Sequence, residues 1–216
     1  MSRIRQALDL AIESTAESFL ENPANFSDER ALAEDIRSRL NTLLQPVSVV
    51  TVMVEESSGA KGNITNHEAY TAHYRETTEI DRAQCEVGGK AFPIGGQERL
   101  DMGIFSDSIE IRVVGGTQEF NPSDLSTALE FKYVKNTNYL RYRPDDKDSK
   151  YHEIADDIKR LGTLSGHIDC RCVVFSNYDL FRRDRDADAK RRLLELADQS
   201  GVTLQFVLPA PLQSSS

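Results

Sequence analysis

Residues 128–134 read Ala128-Leu129-Glu130-Phe131-Lys132-Tyr133-Val134. Successive side chains of a β-strand point to opposite faces, so Leu129, Phe131 and Tyr133 share one face and Glu130 and Lys132 the other. The first set is apolar and aromatic and is expected to face the core. The second puts an acid and a base side by side on a strand of otherwise buried composition. Such charges are costly to desolvate unless they are paired or hold a metal. Upstream lies Arg99-Leu100-Asp101-Met102-Gly103-Ile104-Phe105, a second strand-like run whose interior carries Asp101 as its one charge.

Working outward, Ile4, Leu8, Ala11, Ile12, Thr15 and Phe19 recur at helical spacing, and Glu21-Asn22-Pro23 closes that helix. A second helix is expected from Ser27 as N-cap, with Asp28 and Glu29 in its first turn and an apolar stripe of Leu32, Ile36, Leu40 and Leu43. Val47 to Val54 is a β-branched run and reads as a strand. Residues 55–78 are polar and without clear period, and are expected to be an insertion or mobile loop. Further strands are expected at Ala83–Val87, Arg99–Phe105, Ile109–Val114 and Ala128–Val134, separated by Gly-Gly pairs. A helix over about Lys150–Leu164 presents Tyr151, Ile154, Ile158 and Leu161 on one side. The last third reads β-α-β: strand Ile168–Phe175, helix Arg185–Gln199 with Gly201 at its C-cap, strand Val202–Leu208. Alternation of this kind predicts parallel strands joined by a crossover. Residues 209–216 read as a low-complexity, disordered tail.

The charged face of the 128–134 strand suits phosphodiester hydrolysis. That reaction needs an attacking water and relief of charge on phosphorus, which a Mg²⁺ held by a few carboxylates supplies. Paired carboxylates repel, and a cation relieves the repulsion. Asp101 and Glu130 would be the carboxylates, and Lys132 the ammonium near the water. Glu-x-Lys is the spacing a strand requires, because only alternate residues reach one pocket. Glu29, one turn before Leu32 on the inward side of its helix, is a further acidic candidate, while Glu34 falls on the solvent side. A strand between Asp101 and Glu130 offers a rival, Glu110-Ile111-Arg112, ranked lower because arginine does not give up its proton. The competing interpretation of Glu130 and Lys132 is the solvated face of an amphipathic strand.

The order of these elements resembles the PD-(D/E)xK superfamily: a helix with Glu29, a hairpin with Asp101, then Leu129-Glu130-Phe131-Lys132 and a following helix and strand. The likeness spans about Ser27 to Leu208, and Leu100 stands where the superfamily's name has proline. It implies an α/β, restriction-endonuclease-like fold over residues 1–208, a central mixed sheet flanked by helices. It further implies a metal-dependent nuclease, endo- or exonucleolytic, acting on DNA. Catalysis would fall to Asp101, Glu130, Lys132 and Glu29, with Mg²⁺ on Asp101 and Glu130 and Mn²⁺ able to substitute. The alternative is an inactive member that binds nucleic acid or a protein partner, since fold does not fix function. A homodimer is compatible with either.

Arg141-Tyr142-Arg143, just beyond the Glu-x-Lys strand, is the preferred nucleic-acid contact, because arginine binds phosphate bidentately and tyrosine stacks on bases. The denser group at Arg182-Arg183-Asp184-Arg185 with Lys190, Arg191 and Arg192 is read instead as intrahelical ion pairing, Arg191 to Glu195 among them. Cys170 and Cys172 read as buried thiols, and none of the four histidines is assigned to a metal. Three cysteines among 216 residues exclude a disulfide scaffold, and 39% hydrophobic with 28% charged residues excludes wholesale disorder. The net charge of −9 speaks against a generally basic surface, so nucleic-acid binding would need a local cationic stripe. No apolar run reaches the length of a membrane span and no signal segment opens the chain, so a cytoplasmic location is expected.

Overall fold

The computed structural model describes residues 3–56, 70–88, 99–114, 117–119, 124–135, 149–166, 168–181 and 184–209. Two helices come first, α1 (Arg3–Glu21) and α2 (Glu29–Leu43), joined through a short 3-10 turn at Pro23–Asn25. On α1 the residues at helical spacing, Leu8, Ala11, Ile12, Thr15 and Phe19, are buried. Helix α2 begins one residue later than the sequence suggests. Asp28 is its N-cap, with Oδ1 accepting from the Ala31 N–H at 3.0 Å, while the Ser27 hydroxyl donates to Asp28 Oδ2. A carboxylate is the stronger acceptor at a helix start and adds the favourable interaction with the helix dipole.

Among the described residues, nine strands divide into two sheets. The five-stranded sheet has the order β3 (Ala83–Gly88), β4 (Arg99–Phe105), β7 (Leu125–Val134), β8 (Asp169–Ser176), β9 (Thr203–Val207). Its first three strands are antiparallel and its last three parallel, so the sheet is mixed. The parallel half is connected through α3 (Lys150–Gly162) and α4 (Asp184–Ser200). Gly201, at φ +67°, ends α4 in the left-handed conformation that only glycine adopts without strain.

The second sheet runs β2 (Tyr70–Ile80), β1 (Val47–Glu56), β5 (Ser108–Val114), β6 (Thr117–Glu119). It corrects one expectation. Residues 70–80 are a strand paired antiparallel with β1, not part of a loop; their polar composition conceals it from any hydrophobic period. The strand at 108–114, carrying Glu110-Ile111-Arg112, pairs in parallel with β1 in this other sheet. It therefore does not separate β4 from β7.

The five-stranded sheet is covered on both faces. Leu129, Phe131 and Tyr133 pack with α1 and α2 around Phe19, Leu32 and Ile36. Ala128 and Val134, on the opposite face, pack with α3 and α4 around Ile154, Ile158 and Leu193, where Val47, Val49 and Ile109 of the second sheet join them. Parallel strands buried on both faces are the usual consequence of helical crossovers. The Glu130 face is therefore interior, not solvated, which removes the amphipathic-strand interpretation. Among the described residues no helix is long and apolar enough to cross a membrane.

Candidate functional site

The β4–β7 ladder runs Phe105↔Leu125, Ile104↔Thr127, Gly103↔Ala128, Met102↔Leu129 and stops there. Beyond that pair β4 stays with β3, through Leu100↔Val87, and leaves β7. The backbone of β7 past Leu129 thus loses its neighbour on one edge, and its inward N–H groups need acceptors. Two acids supply them. Asp101 Oδ2 accepts from the Phe131 N–H at 2.7 Å, and Glu29 Oε1 accepts from the Tyr133 N–H at 3.1 Å. Asp101 and Glu29 come from elements far apart in sequence and meet at this gap.

Glu130 and Lys132 project from the other face of β7 against α3. Glu130 is 1% exposed, and its Oε1 lies 2.6 Å from Arg160 Nη2 as an ion pair without hydrogen-bond alignment. Lys132 Nζ lies 2.7 Å from Asp157 Oδ2 and 3.9 Å from Glu29 Oε2. Asp157 Oδ1 contacts Arg160 Nη2 at 2.9 Å, which links the two pairs into one network. Lys150 Nζ extends it, 3.6 Å from Glu29 Oε1 and 2.5 Å from Glu153 Oε2.

The electrostatics follow from burial and crowding. Burial pushes the Glu130 carboxyl well above its ordinary range, the nearby Asp101 and Asp157 carboxylates push it further, and Arg160 only partly opposes them. Its carboxyl is also within hydrogen-bonding reach of Asp101. Burial likewise raises Asp157, against the pull of Lys132 and Arg160. Burial alone would lower Lys132, but the Asp157 carboxylate, with Glu29 and Asp101 nearby, outweighs it and holds the ammonium protonated above the ordinary lysine range. With every carboxyl ionised, the connected set would carry five negative charges (Glu29, Asp101, Glu130, Glu153, Asp157) against three positive ones (Lys132, Lys150, Arg160), an excess of two that favours a proton on Glu130.

The donor set can be tested against a cation. Among the described residues no three acid, histidine or cysteine side chains are grouped to hold one. A closed site of the structural zinc type is therefore out of keeping with these residues. Mg²⁺ is less demanding: it binds through one or two carboxylates and keeps waters and substrate phosphates as its other ligands. Asp101 beside Glu130, with Glu130 Oε1 buried and lacking a hydrogen-bond partner, fits that pattern. A cleft of about 520 Å³ gives access from one side, lined by Asp101, Glu29, Tyr133, Cys85, Lys135 and Lys150. Asp101 borders both the cleft and the buried network.

Sequence reasoning missed Asp157 and Arg160. Their signal was present: Asp157 stands three residues after Ile154 and four before Leu161, on the inward side of α3, where a charge needs a partner. Arg141, Tyr142 and Arg143 lie outside the described residues. On α4, Arg191 pairs with Asp188 and Glu195, each at 2.6 Å, as intrahelical ion pairs. Cys170 and Cys172 are buried thiols of β8. Comparison with protein-family models, with curated proteins and with solved structures finds no match to this chain.

Proposed function

We propose that the chain has a restriction-endonuclease-like fold of the PD-(D/E)xK type and is a Mg²⁺-dependent nuclease acting on DNA. One observation carries this reading. Asp101 and Glu130, 29 positions apart, sit on adjacent strands where the ladder ends, in a network with two carboxyls in excess of its cations. With Glu130 ionised that excess equals the charge of one divalent ion, and such an ion would take the place of the proton that the repulsion favours there.

Asp101 and Glu130 would hold Mg²⁺, or Mn²⁺ in its place. The bound ion would polarise a phosphate oxygen and acidify a coordinated water. Lys132 contributes as a fixed cation: paired with Asp157 and kept protonated, it offsets charge developing on the phosphate and does not serve as the base. Glu29 holds the Tyr133 N–H and approaches Lys132, so its role is to orient the strand and the ammonium. The cleft beside Asp101, with Lys135 and Lys150 on its walls, is the route by which a phosphate reaches the acids.

The test is cleavage of linear and circular DNA in Mg²⁺ or Mn²⁺, with chelator and with Glu130→Gln as controls. Cation-dependent cleavage by the native chain, abolished in the variant, supports the reading. Cleavage unchanged by Glu130→Gln overturns it. A second reading has its own observation: Asp101 and Glu29 are already employed as backbone acceptors and Lys132 is already neutralised by Asp157. On that reading the protein binds nucleic acid or a partner without cutting it, with salt-sensitive affinity and no cleavage in either cation.

A further inference from the structure

Helix α3 carries two charged side chains that the Glu-x-Lys pattern does not contain, and both reach the pattern's residues. Asp157 is 8% exposed, an unusual position for a carboxylate, and its two oxygens are divided between Lys132 at 2.7 Å and Arg160 at 2.9 Å. Arg160 in turn reaches Glu130 at 2.6 Å. Lys132 has four single bonds of freedom in its stem and a compact head that would otherwise turn toward any nearby acid. Glu29, its other anionic neighbour, is 3.9 Å away on the cleft side.

We infer that Asp157 is a positioning residue: it anchors the Lys132 ammonium from α3, and through Arg160 it ties that anchor to the carboxylate of Glu130. This inference rests on the nuclease reading for its consequence in catalysis, but the anchoring itself is a statement about this network alone. The geometry shows how each of the pair is held by its own partner on α3. Glu130 and Lys132 are adjacent on one strand face, and without a third group their own attraction would bring the ammonium onto the carboxylate. Asp157 and Arg160, three apart on one side of α3, intercept each charge with its opposite and keep the two ends separate.

The experiment uses the full chain and the variants Asp157→Asn and Asp157→Glu. Asparagine keeps the shape and removes the charge; glutamate restores the charge on a longer arm. Two measurements separate the anchoring from the nuclease reading. The first is the side-chain ammonium resonance of Lys132 in ¹⁵N-labelled protein, assigned by its absence in Lys132→Met. It is expected to be sharp and slowly exchanging in the native chain, lost in Asp157→Asn, and recovered in Asp157→Glu. The second is DNA cleavage in Mg²⁺. Asp157→Asn is expected to lower kcat about 10²-fold, the scale of an ångström's misplacement. KM and the dissociation constant of Mg²⁺ should stay within about twofold, and Asp157→Glu should recover part of the rate. A Lys132 resonance unchanged in Asp157→Asn overturns the anchoring. A fall in rate that merely follows the unfolded fraction in a thermal melt overturns its consequence in catalysis. If the native chain cuts no DNA at all, the nuclease reading fails, and the resonance by itself decides the anchoring.

Discussion

Glu130→Gln, made without any metal present, should stabilise the protein, and by an amount that depends on pH. The carboxyl is buried beside two other carboxylates and one guanidinium. Unit charges about 4 Å apart interact by about 4 kcal/mol at an effective dielectric constant near 20. That is the scale of each neighbour's effect; burial is the largest cost of ionising Glu130, and the Asp101 and Asp157 carboxylates repel its charge where Arg160 attracts it. The native chain escapes the full penalty by keeping the proton, at about 1.4 kcal/mol for each unit by which the pKa is raised. Its folded pKa lies above the unfolded one, so between the two the folded state binds more protons. Stability therefore falls as pH rises through that window and is greatest on its acid side. Glutamine cannot ionise and pays none of this. The variant should match the native chain on the acid side of that window and exceed it above, by about 1.4 kcal/mol for each unit by which the folded pKa is raised, or roughly 3–6 °C in Tm per unit for a chain of this size. Urea or thermal unfolding across that range, with chelator present, measures it. Mg²⁺ should then raise the native Tm and leave the variant's unchanged. A variant less stable than the native chain above that window, or a difference independent of pH, refutes the reasoning.

Two further outcomes follow from the same structure. Because burial and neighbouring carboxylates favour the protonated form of Glu130 while a bound cation would favour the ionised one, Mg²⁺ binding on the acid side of its titration should release protons. Titration calorimetry in two buffers of different ionisation enthalpy reads this as a buffer-dependent heat, which Glu130→Gln abolishes. Asp28→Ala removes the N-cap of α2 and should lower the midpoint of urea unfolding. Ser27→Ala, whose hydroxyl only contacts Asp28, should lower it by less than half as much.

Much of the site was legible because strands and helices impose short periods. Alternation placed Glu130 with Lys132 and against Phe131, and the α2 stripe turned Glu29 inward. What local pattern could not show was adjacency. Asp101 and Glu130 are neighbours because the intervening strand, residues 108–114, joins β1 in another sheet, a pairing decided by long-range contacts and invisible in a window of seven residues. The strand at 70–80 escaped for the complementary reason: its sequence Tyr70-Thr71-Ala72-His73-Tyr74-Arg75-Glu76-Thr77-Thr78-Glu79-Ile80 has β-formers but no apolar period. Asp157 was passed over because α3 was read for its apolar residues, when the informative one was the charge among them.

The parting of β4 from β7 has a consequence for how this chain can change over generations. Asp101 and Glu29 each hold a backbone N–H that would otherwise be stranded, so replacing either one damages the fold whether or not any substrate is ever cut. Glu130 holds no backbone, and its charge burdens the folded state. A lineage under no selection for the proposed catalysis would therefore shed Glu130 readily and keep Asp101 and Glu29. The three acids would come apart in a set order, and a descendant's surviving acids would record which of them the backbone itself requires.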